Sequence, residues 1–311
     1  MKNNKLFDFL INRLKHPEKI TLSIPEDDSR VFQAIDILKS ANINIISHDT
    51  LPSLSKEYIE SVKTLKFLEN WPAEDLKTFL NQAYIKSLLM LKHNDVDAVI
   101  CGCTMPTADI VRNAIRIIGM DSNSKWITSM FLMVNETKDK FLTFSDCAVI
   151  PEPTSEQLVE IAEKAGEMHY MITGDAPRIA FLSFSTKGSA EHYRVSNVRK
   201  AVEFFSKRHP NIIHEGEIQL DAAINKHISD SKIKESKLKG DANSLIFPNL
   251  DAGNIGYKLT QQLAGYYACG PLLLGLNKPV NDLSRGATVE DIVMISLITA
   301  IQCEGLLDAN L

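Results

Sequence analysis

Ser244-Leu245-Ile246-Phe247-Pro248-Asn249-Leu250-Asp251-Ala252-Gly253-Asn254-Ile255-Gly256-Tyr257-Lys258 decides the fold. Ser244 to Phe247 is an apolar run of strand length, Pro248 stops it, and the following residues have the composition of a helix start. Strand end, turn and helix start therefore follow one another directly. By composition Asp251 is the helix cap and Gly253 a close-packing residue, which leaves Asn254, Tyr257 and Lys258 without a packing reason.

The same alternation extends outward in both directions. Further strands are expected at Ile20 to Ile24, Ile43 to Ile46, Ala98 to Ile100, Trp126 to Val134, Phe141 to Val149, Ile179 to Phe184 and Leu272 to Leu274, with helices in the intervals. Short apolar runs alternating with amphipathic ones are the pattern of a mainly parallel sheet covered by helices, so the class is α/β. Thr154-Ser155-Glu156 opens a helix with Leu158, Ile161 and Ala162 on one face. Thr288 caps the last helix, whose Ile292, Val293, Ile295, Ile298 and Ile301 form a broad face that must be covered. Pro151-Glu152-Pro153 and Gly270-Pro271 are the boundary candidates.

A chain of 311 residues exceeds what one hydrophobic core usually serves, so two domains are expected. A net charge of -5 gives no general attraction to nucleic acid or anionic lipid, and an anionic ligand must meet a local cluster of Lys and Arg. No apolar run reaches the ~18 residues of a membrane span, and Met1 to Leu6 lacks the apolar core of a signal peptide; a cytoplasmic location is expected. Five cysteines, an odd number, imply no disulfide framework. Cys101-Gly102-Cys103 has metal-ligand residues but no second pair or nearby His, so it reads as two packed thiols and no metal is assigned. Lys232 to Gly240 reads as a solvated loop.

Two segments have what an anion site needs, exposed N–H groups before a helix together with fixed positive charge. One is Phe184-Ser185-Thr186-Lys187-Gly188-Ser189, the other Asn281-Asp282-Leu283-Ser284-Arg285-Gly286. Either can also be a polar loop that only caps its helix. Neither is a Walker A loop, because the Gly-x-x-x-x-Gly-Lys spacing is absent. On one parallel sheet both would face the carboxyl edge, where α/β proteins bind ligands.

The chain resembles the phosphate acetyltransferases, which interconvert acetyl phosphate plus coenzyme A and acetyl-CoA plus phosphate. The resemblance is carried by Leu22-Ser23-Ile24-Pro25-Glu26, Thr107-Ala108-Asp109-Ile110-Val111-Arg112, Pro153-Thr154-Ser155-Glu156, Leu182 to Ser189, Gly216-Glu217-Ile218-Gln219-Leu220-Asp221-Ala222-Ala223, and the segments beginning at Phe247 and Asn281. That is nearly the whole chain. It implies a first α/β domain from residues 1–148 and 271–311 and a second, residues 149–270, inserted into it, with the active cleft between them. It also implies a homodimer, small-molecule substrates, coenzyme A or acetyl-CoA as co-substrate, and no permanently bound cofactor.

By the same resemblance Ser284, Arg285 and Asp291 are catalytic, and Arg112 binds substrate or coenzyme A. Ser185, Thr186, Lys187, Gly188, Asn254, Tyr257, Lys258 and Asn281 are the other substrate-binding candidates. Arg285 offers planar donors to the phosphate, and Ser284 a hydrogen bond to the carbonyl oxygen as charge develops. Asp291 is the implied base for the thiol, with a helix cap as its alternative role. A thiol near ~8.5 and a carboxylate near ~3.9 leave roughly 6 kcal/mol against full proton transfer, so Asp291 must be desolvated or take the proton in concert with attack.

The chain departs from the family on the coenzyme A side. Members commonly have His-Thr-Thr-Ala-Asp before the binding Arg, where this chain has Met105-Pro106-Thr107-Ala108-Asp109. They also carry a second coenzyme A-binding Arg about forty-five residues earlier, where only Lys63 and Lys66 stand here, point charges in place of a planar fork. Weaker coenzyme A binding is the expectation. The competing functions are a phosphate butyryltransferase and a non-catalytic domain that senses acetyl-CoA or acetyl phosphate.

Overall fold

The computed structural model describes residues 4–62 and 64–309. In chain order the elements are α1 (Lys5–Arg13), β1 (Thr21–Ile24), α2 (Ser29–Ser40), β2 (Asn44–Ser47), α3 (Lys56–Val62), α4 (Ala73–Asn81), α5 (Ala83–Lys92), β3 (Ala98–Cys101) and α6 (Thr107–Ile117). Then come β4 (Thr128–Val134), β5 (Phe141–Ser145), α7 (Ser155–Thr173), β6 (Arg178–Leu182), α8 (Tyr193–Arg208), β7 (Ile213–Ile218), α9 (Leu220–Ile224), α10 (Lys226–Lys232), β8 (Ser244–Ile246), α11 (Leu250–Ala264) and β9 (Tyr267–Leu274). The chain closes with β10 (Val280–Asp282) and α12 (Val289–Ala309).

Two compact units result, residues 1–125 with 276–311, and residues 126–275. The punctuation at Pro151 and Gly270-Pro271 is therefore not where the units divide. The physical reason is strand pairing. β4 and β5, assigned from sequence to the first domain, form an antiparallel pair, and β5 continues in parallel onto β8 while β4 pairs with β9. Gly270-Pro271 lies inside β9, which runs past it because the register shifts between Met130 and Leu132 on the partner strand.

The first unit holds a four-stranded parallel sheet in the order β10-β3-β1-β2. All four residues of β3 are buried, as expected of a parallel strand covered on both faces. Behind it α12 packs on α1, α2 and β3, which leaves Ile292, Val293, Ile295, Ile298 and Ile301 between 0% and 4% exposed. The apolar face of this helix is thus covered within the chain and is not left over for a second copy.

The second unit holds a six-stranded sheet in the order β7-β6-β8-β5-β4-β9, parallel across its first four strands and antiparallel across the rest. Its edge strand β7 went unread in the sequence because Ile213-His214-Glu215-Gly216-Glu217-Ile218 has no apolar run. β5 stops at Ser145, short of Val149, because the Asp146 carboxylate takes the N–H groups of Ala148, Val149 and Ile150 and turns the chain. α7 begins at the Thr154 cap, with Gln157 closing a capping box. No helix among the described residues is long and apolar enough to cross a membrane.

α11 is capped by Asn249, whose side chain accepts from the Ala252 N–H; Asp251 instead stands exposed in the first turn. Gly253 does pack as composition requires, since a Cβ there would stand 2.3 Å from the Asp146 carbonyl oxygen. Gly253→Ala is expected to destabilise the protein by ~1–3 kcal/mol through overpacking, read as a lowered urea midpoint.

Candidate functional site

In the first unit the carboxyl ends of β10, β3 and β1 lie side by side, so the three loops that follow them meet. Glu26, buried just after β1, is the acceptor that joins two of them. It takes the N–H groups of Gly102 (3.1 Å), Cys103 (2.9 Å) and Thr104 (2.8 Å), and the Thr104 hydroxyl (2.7 Å). Gly102 adopts φ +130 against the third loop, and a Cβ there would meet the Leu283 carbonyl oxygen at 2.3 Å. Cys101 and Cys103 are buried, and burial pushes the Cys103 thiol up to about 12, so neither is a ready thiolate.

The third loop carries Ser284, Arg285 and Gly286. Arg30 holds it: one face of its guanidinium grips Asp28, while Nη1 donates to the carbonyl oxygens of Arg285 (3.0 Å) and Ala287 (2.7 Å). The Ser284 Oγ accepts the Gly286 N–H at 3.2 Å, which leaves its hydroxyl proton to donate. The Arg285 guanidinium is exposed and bonded to no described residue. This combination, a main chain pinned from below and a side chain without a partner among the described residues, suits an anion clamp.

Asp291 lies in the first turn of α12. Its Oδ2 accepts both the N–H and the hydroxyl of Thr288 at 2.8 Å, while the Thr288 hydroxyl accepts the Asp291 N–H. Asp291 is thus a capping residue in this geometry. Asn281 is fully buried and donates to Thr299 (2.8 Å) and Gln302 (3.1 Å), so it ties β10 to α12 and does not face a ligand. Arg112, exposed on α6, pairs with Asp109 at 2.6 Å. Lys66 is exposed at the start of a short turn, Lys66–Leu68, and Lys63 lies outside the described residues.

In the second unit the Ser185 to Ser189 loop encloses a carboxylate of its own. Glu217 accepts from the Gly188 N–H (2.7 Å), the Ser185 hydroxyl (3.1 Å) and Arg199 (3.0 Å). Burial raises the Glu217 carboxyl, but Arg199, the Gly188 N–H and Ser185 outweigh it and hold it below its ordinary value. Lys187 bonds Glu215 at 3.2 Å, and Thr186 and Gln219 bond each other. The donors read from sequence as an anion cradle are therefore directed at Glu217 and its neighbours. On α11, Asn254 donates to the Cys147 carbonyl (3.1 Å), Tyr257 stacks on Phe131 with ring centroids 4.0 Å apart, and Lys258 sits over the Tyr257 ring at 5.8 Å. Among the described residues no cluster of His, Cys, Asp and Glu is placed to hold a metal ion.

Several of these residues carried no role in the sequence reading, namely Glu26, Arg30, Asp282 and Glu217. The one sequence signal of the three acids is their place within a strand or just after one; Arg30, in the first turn of α2, has none. Asp282 ends β10 and is buried; it accepts the Thr107 hydroxyl on Oδ2, while Oδ1 has no partner among the described residues. Burial, only partly offset by Thr107, pushes its carboxyl up to about 6 from 3.8. A group that binds its proton more tightly when folded stabilises the fold below the unfolded pKa and loses that contribution as pH rises through the folded one. Between about pH 4 and pH 7 the protein should lose ~3 kcal/mol on this account. Asp282→Asn is expected to remove that slope from unfolding free energies measured across the window; identical slopes in both proteins would contradict it.

Residues 20–300 match the family described as Phosphate acetyl/butaryl transferase. A phosphate acetyltransferase of Acetivibrio thermocellus is 36% identical over 323 residues, covering 95% of this chain and 97% of that protein. One from Bacillus subtilis is 41% identical over 226 residues, covering 73% of this chain and 69% of that protein. A phosphotransacetylase from Streptococcus pyogenes has a fold similar to this one with a TM-score of 0.87 at 32% identity, over 98% of this chain and 100% of that chain. Matched over residues 20–300 and 36% identical to a relative over 95% of its length, the chain belongs to the phosphate acetyl/butaryl transferase family.

Proposed function

We propose that the protein is a phosphate acetyltransferase that transfers an acetyl group reversibly between phosphate and coenzyme A. The observation that carries this reading is the Arg285 guanidinium, exposed and without a partner among the described residues, beside Ser284 at the carboxyl edge of the first sheet. Coenzyme A is the co-substrate, and no cofactor is permanently bound.

In the proposed reaction the coenzyme A sulfur attacks the acetyl carbonyl carbon, and the carbon–sulfur bond forms as the thiol proton leaves. Ser284 donates to the carbonyl oxygen as it becomes anionic. The tetrahedral centre then collapses, the bond from carbon to the phosphate oxygen breaks, and Arg285 receives the departing phosphate as a planar bidentate donor. Asp291 is the proposed proton acceptor, acting in concert with sulfur attack. Its Oδ2 already accepts from the Thr288 N–H and hydroxyl. Arg112 is the proposed contact to coenzyme A, released from Asp109 when the ligand arrives.

In the second unit, Ser185, Thr186, Lys187 and Gly188 act through the loop shape that Glu217 imposes, and Asn254, Tyr257 and Lys258 through the start of α11. The protein is proposed to be a homodimer. Support comes from α11, where Ile255, Leu259 and Leu263 follow one another at helical spacing and are 57%, 51% and 80% exposed. Leu259→Asp is expected to shift the protein towards monomer in sedimentation; an unchanged mass would exclude this face as the interface.

Mixing the protein with acetyl phosphate and coenzyme A tests the reaction, followed by thioester absorbance and loss of free thiol. Arg285→Ala should lower kcat roughly 100- to 1000-fold, as loss of a transition-state donor does, with Arg285→Lys recovering only part. Undiminished turnover in Arg285→Ala would overturn the assignment.

A further inference from the structure

A cavity of about 490 Å³ lies at the amino edge of the second sheet, the edge opposite the Ser185 to Ser189 loop. The residues that lead into β5, β6 and β8 wall it together with the last turns of α7, and none of them has a role in the reaction proposed above. Its ionisable lining is Asp139, Lys140, His169, Asp175, Arg178 and Asp241. His169 is 1% exposed, and its Nε2 has no partner among the described residues. The other ring nitrogen, Nδ1, meets the Thr143 hydroxyl at 2.9 Å. That hydroxyl is fully buried and has to place its proton, and Nδ1 is its one side-chain partner among the described residues, so Nδ1 accepts and Nε2 carries the hydrogen. Burial brings the imidazole down to about 4, which makes it a neutral donor at pH 7. A buried N–H requires an acceptor, and the described residues supply none.

The rest of the lining divides into committed and uncommitted groups. Lys140 is exposed, and its ammonium pairs with no described residue. Arg178 is occupied: Nε donates to the Asp241 carbonyl oxygen at 2.6 Å, and the guanidinium faces the Asp241 and Asp175 carboxylates at 3.2 and 3.6 Å. Asp139 accepts from Asn135 and Thr137, Thr173 donates to the His169 carbonyl, and Asn243 donates to that of Ala176. Asp241 and Asp175, with side chains 77% and 61% exposed, therefore share one guanidinium. The negative end of the 19-residue helix α7 lies beside them, so this side of the cavity favours a cation.

A ligand that completes this arrangement has an anionic group for Lys140, a cationic group for the Asp175 and Asp241 side, and a neutral oxygen for the His169 N–H. A charged oxygen at the His169 end would be buried against a single neutral donor, which is costly. A dianion such as phosphate meets three carboxylates and one free ammonium, and a simple carboxylate leaves the acidic side unanswered. A zwitterion with a polar, uncharged side chain meets all three requirements. We propose that this cavity binds a free α-amino acid with a hydroxyl or carboxamide side chain, its carboxylate on Lys140, its ammonium towards Asp175 and Asp241, and its side-chain oxygen on His169 Nε2. The site lies at the sheet edge away from the Ser185 to Ser189 loop, and nothing in its chemistry depends on acetyl transfer.

Titration calorimetry of the full chain with L-serine, L-threonine, L-asparagine and L-glutamine tests this. At least one of the four should bind saturably. Lys140→Ala, a change at an exposed position that leaves the fold intact, should weaken that binding roughly 10-fold or more, the worth of a hydrogen bond to a charged group. His169→Phe should remove the preference of the site for that amino acid over glycine. The same compound without its ammonium, 3-hydroxypropanoate for serine or succinamate for asparagine, should bind roughly 10-fold more weakly or worse. Absence of saturable binding by all four, or unchanged affinity in Lys140→Ala, would overturn the site. Equal affinity for an amino acid and its deaminated counterpart would overturn the zwitterion as its ligand.

Discussion

Parallel pairing of β10 with β3 is the constraint on which the first unit depends. Val280 pairs with Val99, Asn281 with Ile100 and Asp282 with Cys101, so residues far apart in sequence emerge from one sheet edge at one level. A parallel ladder leaves the N–H groups beyond its carboxyl ends without strand partners. Those groups must be met by something, and at Gly102, Cys103 and Thr104 it is Glu26, from the neighbouring strand β1. A slip of one residue would reverse the facing of every side chain on β10 and remove Asn281 from Thr299 and Asp282 from Thr107.

The fold uses buried carboxylates as internal anions. Glu26 does so in the first unit, and Asp146 and Glu217 in the second, each accepting main-chain N–H groups just past a strand end. Burying a charge is costly unless such donors compensate it, and here each carboxylate has them. Positive potential that would otherwise attract a ligand is neutralised at those points. Arg30 and Arg199 are consumed the same way, one on Asp28 and one on Glu217. Arg285 differs because its main chain is held while its guanidinium is left to the solvent. Arg285 thus differs from these structural charges in having no local partner among the described residues, a property that depends on contacts between distant residues.

The sequence by itself determined the class of fold and most of its elements, because alternation of apolar runs, the Thr154 cap and the close-packing Gly253 are local signals that burial later satisfies. It also determined the family, since the motifs from Leu22 to Asp291 survive as linear strings. It did not reveal β7, whose His and Glu residues look solvated until Glu215 and Glu217 meet Lys187 and Arg199. Nor did it place the unit boundary, because proline and glycine mark local turns, whereas β4 and β5 join the second sheet by pairing with strands more than a hundred residues later. Asn249 displaced Asp251 as the cap because two polar residues compete there and only backbone geometry selects between them. Tertiary structure alone decided that Asn281 is a buried tie, that the apolar face of α12 is already covered, and that Glu217 fills the Ser185 to Gly188 loop. In each case the deciding quantity is which distant group satisfies a buried donor, acceptor or apolar surface, and a linear string does not carry that information.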